Sequence, residues 1–228
     1  MTGILTRLIA GGPQRRTRLH DEKGNSTPLG DLLRDAPVSI AGNILEKLGV
    51  QGPAIPWWPG GVIRAIEAAI RPDWQVLEFG SGRSTVWLAR HAGHVTAIED
   101  HADWFKRITG ELLASGIANV DYRFASDPDR YANPEGFQPR SLDLVIVDGS
   151  VRSGCIRTAL DLAKPGGLIY LDDSDKDMTL ADGDTRLCDH LLEDAASAGR
   201  GTLQRITGFA PRQSFAKQGT IFRVTNTK

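Results

Sequence analysis

The chain has 228 residues, of which 40 % are hydrophobic and 24 % charged, ordinary for a soluble globular protein and enough to bury one substantial α/β core with a short appendage. Its formal net charge of −1 excludes a general attraction to nucleic acid or to an anionic membrane, so neither is expected as a partner. Its two cysteines, Cys155 and Cys188, are too few and too far apart for a disulfide framework or a metal knuckle; they read as buried thiols in a reducing compartment, and the cytoplasm is the expected location.

The N-terminal stretch "MTGILTRLIAGG" is interrupted by Arg7 and has no basic region before it, so it fits neither a signal peptide nor a membrane span. Next, "GGPQRRTRLHDEKGNSTPLG" is turn-rich and polar. Its basic group Arg15, Arg16 and Arg18 lacks the interleaved aromatics that stack on bases, and reads as a solvated segment. Two short helices are predicted after it, Leu29 to Arg34 and Ser39 to Leu48. The second would place Ile40, Ile44, Leu45 and Leu48 on one face, with Gly49 as its stop. Residues 1–56 are therefore expected to form an arm and a helical lid, and residues 57–228 the main domain.

From "PWWPGGVIRAIEAAI" onward the texture is regular. A helix is predicted over Pro59 to Ile70, with Val62, Ile66 and Ile70 on one stripe. Strands and helices then alternate: strand Gln75 to Phe79, helix Ser84 to Ala92, strand His94 to Ile98, helix Asp103 to Ser115. Val120 to Phe124 alternates polar and apolar, as a sheet edge does, whereas Leu144 to Val147 is apolar throughout and belongs in the middle. A helix over Gly154 to Leu162, a buried strand over Leu168 to Leu171, a helix over Thr185 to Ala198 and two β segments, Leu203 to Thr207 and Thr220 to Val224, complete the chain. Such alternation predicts an α/β, Rossmann-like doubly wound fold, a mostly parallel sheet with helices on both faces.

Ligands of such sheets collect beyond the carboxyl ends of the strands. That rule selects Glu78 to Ser84, Glu99 and Asp100, Ser126 and Asp127, Asp148 to Ser150, and Asp172 to Asp175. The element "GSGRST" matches only part of the dinucleotide fingerprint, because Thr85 stands where a third glycine or alanine is expected. Glu78 argues against phosphate there: facing a pyrophosphate charge at about 5 Å and an effective dielectric of about 20, it would cost about 3 kcal/mol. An ammonium group would gain from the same placement, and its accompanying carboxylate could sit on the amides around Gly82 to Thr85 at the positive end of the next helix. Glu99 closes the second strand, where an acid accepts from the hydroxyls of a ribose. An amino acid joined to a ribose describes S-adenosylmethionine.

The motifs carry a family resemblance. The E-x-G-x-G element at Glu78 to Gly82, the acid Glu99, "DLVIVDG" at Asp143 to Gly149 and "KPGGLIYLDD" at Lys164 to Asp173 resemble a class I S-adenosylmethionine-dependent methyltransferase over residues 57 to about 224. The chain is similar in particular to a bacterial group with "PWW" before the fold, "EFGSGRST" in the first loop, a Trp after the ribose acid (Trp104), "VDGxxRxxC" (Val147 to Cys155) and "DDS" after the fifth strand. Where such relatives often carry "EHD", this chain has "EDH", Glu99 to His101. The resemblance implies a seven-stranded sheet whose last strand is antiparallel. The cofactor candidates that the strand-end rule and the charge argument select are Glu78, Gly80, Ser81, Gly82, Ser84, Thr85, Glu99, Asp100, Ser126, Asp127 and Asp148.

Methyl transfer is an in-line displacement that needs alignment and exclusion of water rather than a covalent intermediate, and no nucleophile elbow is present. A hydroxyl acceptor must lose its proton, to a general base or with help from a metal. Asp148, Asp172 and Asp173 are the catalytic candidates, with Arg152 beside them to pair with the acids or to bind an anionic acceptor. As three hard oxygen ligands, the same acids would suit Mg2+. The expected activity is O-methylation of a small-molecule or sugar-like acceptor. The competing readings are an NAD-linked oxidoreductase and a cofactor-binding module without turnover. Trp57 and Trp58 are read either as a wall for the acceptor or as core.

Overall fold

A computed structural model describes residues 10–11, 13–50, 52–176 and 183–226. Its elements are α1 (Leu29–Lys47), α2 (Gly60–Glu67), β1 (Gln75–Phe79), α3 (Arg83–His91), β2 (His94–Glu99), α4 (Ala102–Ala114), β3 (Val120–Phe124), α5 (Pro128–Ala132), β4 (Leu142–Val147), α6 (Arg152–Leu162), β5 (Ala163–Leu171), α7 (Gly183–Ser197), β6 (Gly201–Phe209) and β7 (Ala216–Val224). The strands form one seven-stranded sheet in the order β3-β2-β1-β4-β5-β7-β6. Neighbours are parallel from β3 to β5, while β7 runs antiparallel to both β5 and β6.

Burial follows the pleat. Leu77, Phe79, Val145, Val147, Ile169 and Leu171 face one layer, where Cys155 and Ile156 of α6 and Cys188 and Leu192 of α7 pack on them. Val76, Leu144, Ile146, Leu168 and Tyr170 face the other, against Val62 and Ile66 of α2, Leu88 of α3 and Trp58. All six residues of β4 are buried, whereas no residue of the edge strand β3 is. Both cysteines are free and buried. No helix among the described residues is long and apolar enough to cross a membrane.

The strand order reverses between β1 and β4, which opens the crevice typical of a doubly wound sheet at their carboxyl ends. The two loops that leave these strands touch there. Gly80 has φ 86°, and a Cβ on it would lie 2.7 Å from the carbonyl oxygen of Asp148, so this crossing admits only glycine.

Two expectations are corrected. The predicted pair of helices is one helix, α1, running through Pro37. An interior proline removes one backbone bond, but each half is held from outside: Arg64 of α2 binds Asp31 and Asp35 before the proline, and Asn43 after it donates to the Arg212 carbonyl at 2.7 Å. The face predicted to be buried is also not the buried one. Ala36 and Ser39 are covered, while Ile40, Ile44, Leu45 and Leu48 are 45–72 % exposed. The short helix α5 was not anticipated; Asp127 caps it by accepting from the amide of Arg130 at 2.9 Å.

The N-terminal arm is joined to the sheet by buried polar groups. Asp21 Oδ2 accepts from Thr207 Oγ1 at 2.6 Å and from Gln218 Nε2 at 3.1 Å, and the amide of Ala216 donates to the Arg18 carbonyl at 2.8 Å.

Candidate active site

The loop after β1 is organised by two carboxylates. Glu78, the fourth residue of β1, is fully buried. Its Oε2 accepts from Thr85 Oγ1 at 2.6 Å, and that same hydroxyl accepts from the amide of Gly82 at 2.9 Å. Oε1 of Glu78 has no hydrogen-bond partner among the described residues. Burial pushes this carboxyl up to about 7, against the opposing hydrogen bond from Thr85. Thr85, which breaks the dinucleotide pattern, thus holds the first turn of α3 to the acid of β1.

Glu99 closes β2 and is also buried. Its Oε2 accepts from the amide of Ser81 at 3.1 Å and its hydroxyl at 2.6 Å, and Oε1 accepts from the amide of His101 at 2.9 Å. Ser81 Oγ lies 2.7 Å from the Tyr122 hydroxyl, and the indole of Trp104 donates to the Ser81 carbonyl at 2.6 Å. These bonds bring Ser81, Gly82 and Ser84 to the wall of a cavity of about 180 Å³, whose lining includes Trp57, Trp104 and Asp148. Asp100 is half-buried beside Glu99, and Ser126 and Asp127 are exposed.

The ends of β4 and β5 carry a second charged group. Asp148 keeps 28 % of its side-chain surface and reaches the cavity. The indole of Trp58 donates to its Oδ2 at 3.2 Å, and Arg152 lies 3.6 Å from its Oδ1. Burial and then the charge of Asp172 push Asp148 well above the usual carboxylate range, outweighing Lys217 and Arg152. Asp172 accepts from the Tyr170 hydroxyl at 2.5 Å and from Lys217 Nζ at 2.6 Å. Asp173 takes Lys217 at 2.7 Å and Lys176 at 2.5 Å. Burial works against its charge, but the two ammonium groups prevail and hold it below the usual range. Arg152 itself donates to the carbonyls of Gly149 and Asp172, at 2.9 and 2.7 Å.

The structure therefore brings Asp148, Asp172, Asp173 and Arg152 together, as expected, but not as a metal centre. The ammonium of Lys217 bridges Asp172 and Asp173, and the second oxygen of each is also taken. Among the described residues no group of three or more His, Cys, Asp and Glu is arranged to hold a metal ion. The Mg2+ reading of Asp148, Asp172 and Asp173 does not fit these residues. Sequence reasoning missed Lys217, Tyr170 and the bond from Trp58. The predicted β segment begins at Thr220, so Lys217 and Gln218 fall just before it, whereas the observed strand starts at Ala216.

No protein-family model matches the chain, and no curated protein matches it in sequence. Solved structures match in fold. The O-methyltransferase TomG of Streptomyces achromogenes, involved in tomaymycin synthesis and solved in complex with SAM, is 22 % identical, covers 84 % of this chain and 90 % of its own, and has a TM-score of 0.58. An O-methyltransferase of Bacillus cereus in complex with SAH is 20 % identical over 71 % of this chain and 78 % of its own, with a TM-score of 0.59. The cofactor-bound Rv0187 of MTB is 21 % identical over 84 % and 98 %, also at 0.59. At this identity the likeness is one of fold: the chain has the Rossmann-like methyltransferase fold.

Proposed function

We propose that the chain is an S-adenosylmethionine-dependent methyltransferase acting on an oxygen of a small acceptor. The observation that carries this reading is Glu78, a fully buried carboxylate near the end of β1 with one oxygen unpartnered among the described residues. Such a group calls for a donor from a ligand, and a cationic one most of all; a diphosphate would meet its charge instead. The complexes of TomG with SAM and of the Bacillus cereus enzyme with SAH support the choice of ligand.

In this reading Glu78 takes the ammonium of the cofactor, and Ser84 with the positive end of α3 takes its carboxylate. Glu99 spends three acceptor sites on Ser81 and His101, which leaves about one of the roughly four lone-pair sites of a carboxylate for a ribose hydroxyl. Gly80, Ser81 and Gly82 give the close backbone approach. Asp100, Ser126 and Asp127 border the adenine side. When bound, the cofactor supplies an electrophilic methyl group on a sulfonium.

Asp148 accepts the proton of the acceptor hydroxyl. Its raised pKa makes it a better base than an ordinary carboxylate, it reaches the cavity, and Trp58 and Arg152 fix its orientation. Arg152 holds the loops of β4 and β5 in register through its two carbonyl bonds. Mg2+ has no place in this proposal. The small cavity with its two tryptophans favours a small-molecule acceptor, and residues 1–56, whose Gly52 and Pro53 carbonyls accept from Arg83 of the cavity wall, are proposed as an arm and lid to the 57–228 domain. Two free buried thiols support a cytoplasmic location.

Calorimetry tests the reading: S-adenosylmethionine should bind wild type with one-site stoichiometry, and Glu78→Gln should weaken that binding about 10- to 100-fold. An acceptor screen that detects S-adenosylhomocysteine then finds the substrate. Tight binding of a nicotinamide dinucleotide, without any response to S-adenosylmethionine, would overturn it.

A further inference from the structure

Lys217 lies at the second residue of β7, only 4 % of its side chain exposed. Its Nζ is 2.6 Å from Asp172 Oδ2, 2.7 Å from Asp173 Oδ1 and 3.3 Å from the Trp57 carbonyl. An ammonium has three protons to donate, and these three oxygens accept them. The remaining oxygens of the two acids go to Tyr170 and Lys176. A divalent ion on these carboxylates needs oxygens at about 2.1 Å for magnesium, which would put it within repulsive contact of the ammonium. The local charges already balance: Lys217, Lys176 and Arg152 stand against Asp148, Asp172 and Asp173.

We propose that Lys217 is the resident cation of this site, a positioning residue whose ammonium stands where a divalent ion would bind and which fixes Asp172 and Asp173. Asp148 is thereby left as the one acid of the three open to the acceptor, and proton acceptance proceeds without a metal. Only that last step rests on the methyl-transfer reading; the occupation of the site by Lys217 does not. The position on β7 explains the design in physical terms. Because β7 pairs with β5 in antiparallel register, Leu171 opposite Thr220, the chain before Thr220 extends past the end of β5 and carries a side chain back over the acids.

Manganese titration, read by the paramagnetic signal of the free ion, tests this directly. Wild type is expected to show no saturable site. Lys217→Ala, which frees two buried carboxylates, is expected to bind one manganese at least about tenfold more tightly than wild type, with the gain abolished by adding Asp172→Asn. Lys217→Arg keeps the charge and is expected to exclude manganese as wild type does. A saturable manganese site in wild type that Asp172→Asn removes would overturn the proposal without needing any lysine variant to fold. So would a folded Lys217→Ala protein that gains no site. Calorimetry with S-adenosylmethionine on the same preparations separates the two readings: a wild type that binds neither ligand sinks the methyltransferase assignment while leaving the role of Lys217 intact.

Discussion

Thr85 Oγ1 donates to Glu78 Oε2 at 2.6 Å and accepts from the amide of Gly82 at 2.9 Å, so one hydroxyl ties the end of β1 to the start of α3. Replacing it by valine keeps the shape but strands a buried N–H and removes a donor from a buried carboxylate. Thr85→Val is expected to lower stability by about 1–3 kcal/mol. It should also raise the Glu78 pKa further and weaken S-adenosylmethionine binding at neutral pH. Thr85→Ser should restore both. Urea melts and calorimetry on the pair check this; equal behaviour of the serine and valine variants would remove the hydroxyl from the account.

Glu78 makes the fold pH-sensitive in the direction opposite to a salt-bridged acid. Its pKa is raised from 4.5 to about 7, so between these values the native state holds more protons than the unfolded one. The stabilisation is full below the lower value and is lost as pH rises to the upper, at a cost of roughly 3 kcal/mol. Glu78→Gln removes this dependence. Relative to wild type the variant should gain roughly 3 kcal/mol between pH 4 and pH 8, while its affinity for S-adenosylmethionine falls about 10- to 100-fold. Chemical denaturation across that range tests the first part. A constant difference between the two proteins would show that Glu78 is not a buried, strained acid.

Much of this arrangement was legible because central parallel strands have little choice of composition. "LVIV" in β4 is buried on both faces and reads as such, and the acids Glu78, Glu99, Asp148 and Asp172 stand at strand ends where the sheet's topology collects ligands. The periodicity of α1 misled, since it implies burial only if a partner layer exists: here Ala36 packs with Phe209 of β6 and Ala216 of β7, while the larger apolar residues stay outside. The full nine-residue lengths of β6 and β7 were hidden for a related reason. Lys217 and Gln218 look like loop residues until their partners Asp172 and Asp21 are known, and those partners are distant in sequence.

Asp21 is one such long-range group, fully buried in the N-terminal arm. Besides Thr207 and Gln218 it accepts from the amide of Asn25 at 2.8 Å. Asn25 Nδ2 also donates to Asp21, at 3.0 Å, so Asp21→Ala leaves four donors without their acceptor, and the expected loss is about 3 kcal/mol or more of global stability. Because β6 and β7 share the network, the arm should not detach on its own. Thermal melts should stay single-step and shift downward, and hydrogen exchange should rise in β6 and β7 together with the arm. Exchange confined to the arm would mean that it is an independent appendage.

The adjacent Trp57 and Trp58 divide the two roles that one sequence motif left open. Trp58 is fully buried, with ring centroids 4.9 Å from Tyr170 and 6.1 Å from Trp87, and its indole also serves Asp148. Trp57 is 40 % exposed and lines the cavity. Trp58→Ala should therefore cost about 3–5 kcal/mol through the cavity it leaves, and Trp57→Ala less than about 1 kcal/mol. Trp58→Phe refills most of the space while withdrawing the donor from Asp148, so it should move the acidic limb of the pH–rate profile upward with little loss of fold. Trp57→Ala should instead raise the KM for the acceptor and leave that limb in place. If the alanine variants were equally stable, or if the phenylalanine variant kept the wild-type profile, the assignment of core and proton-site roles to Trp58 would fail.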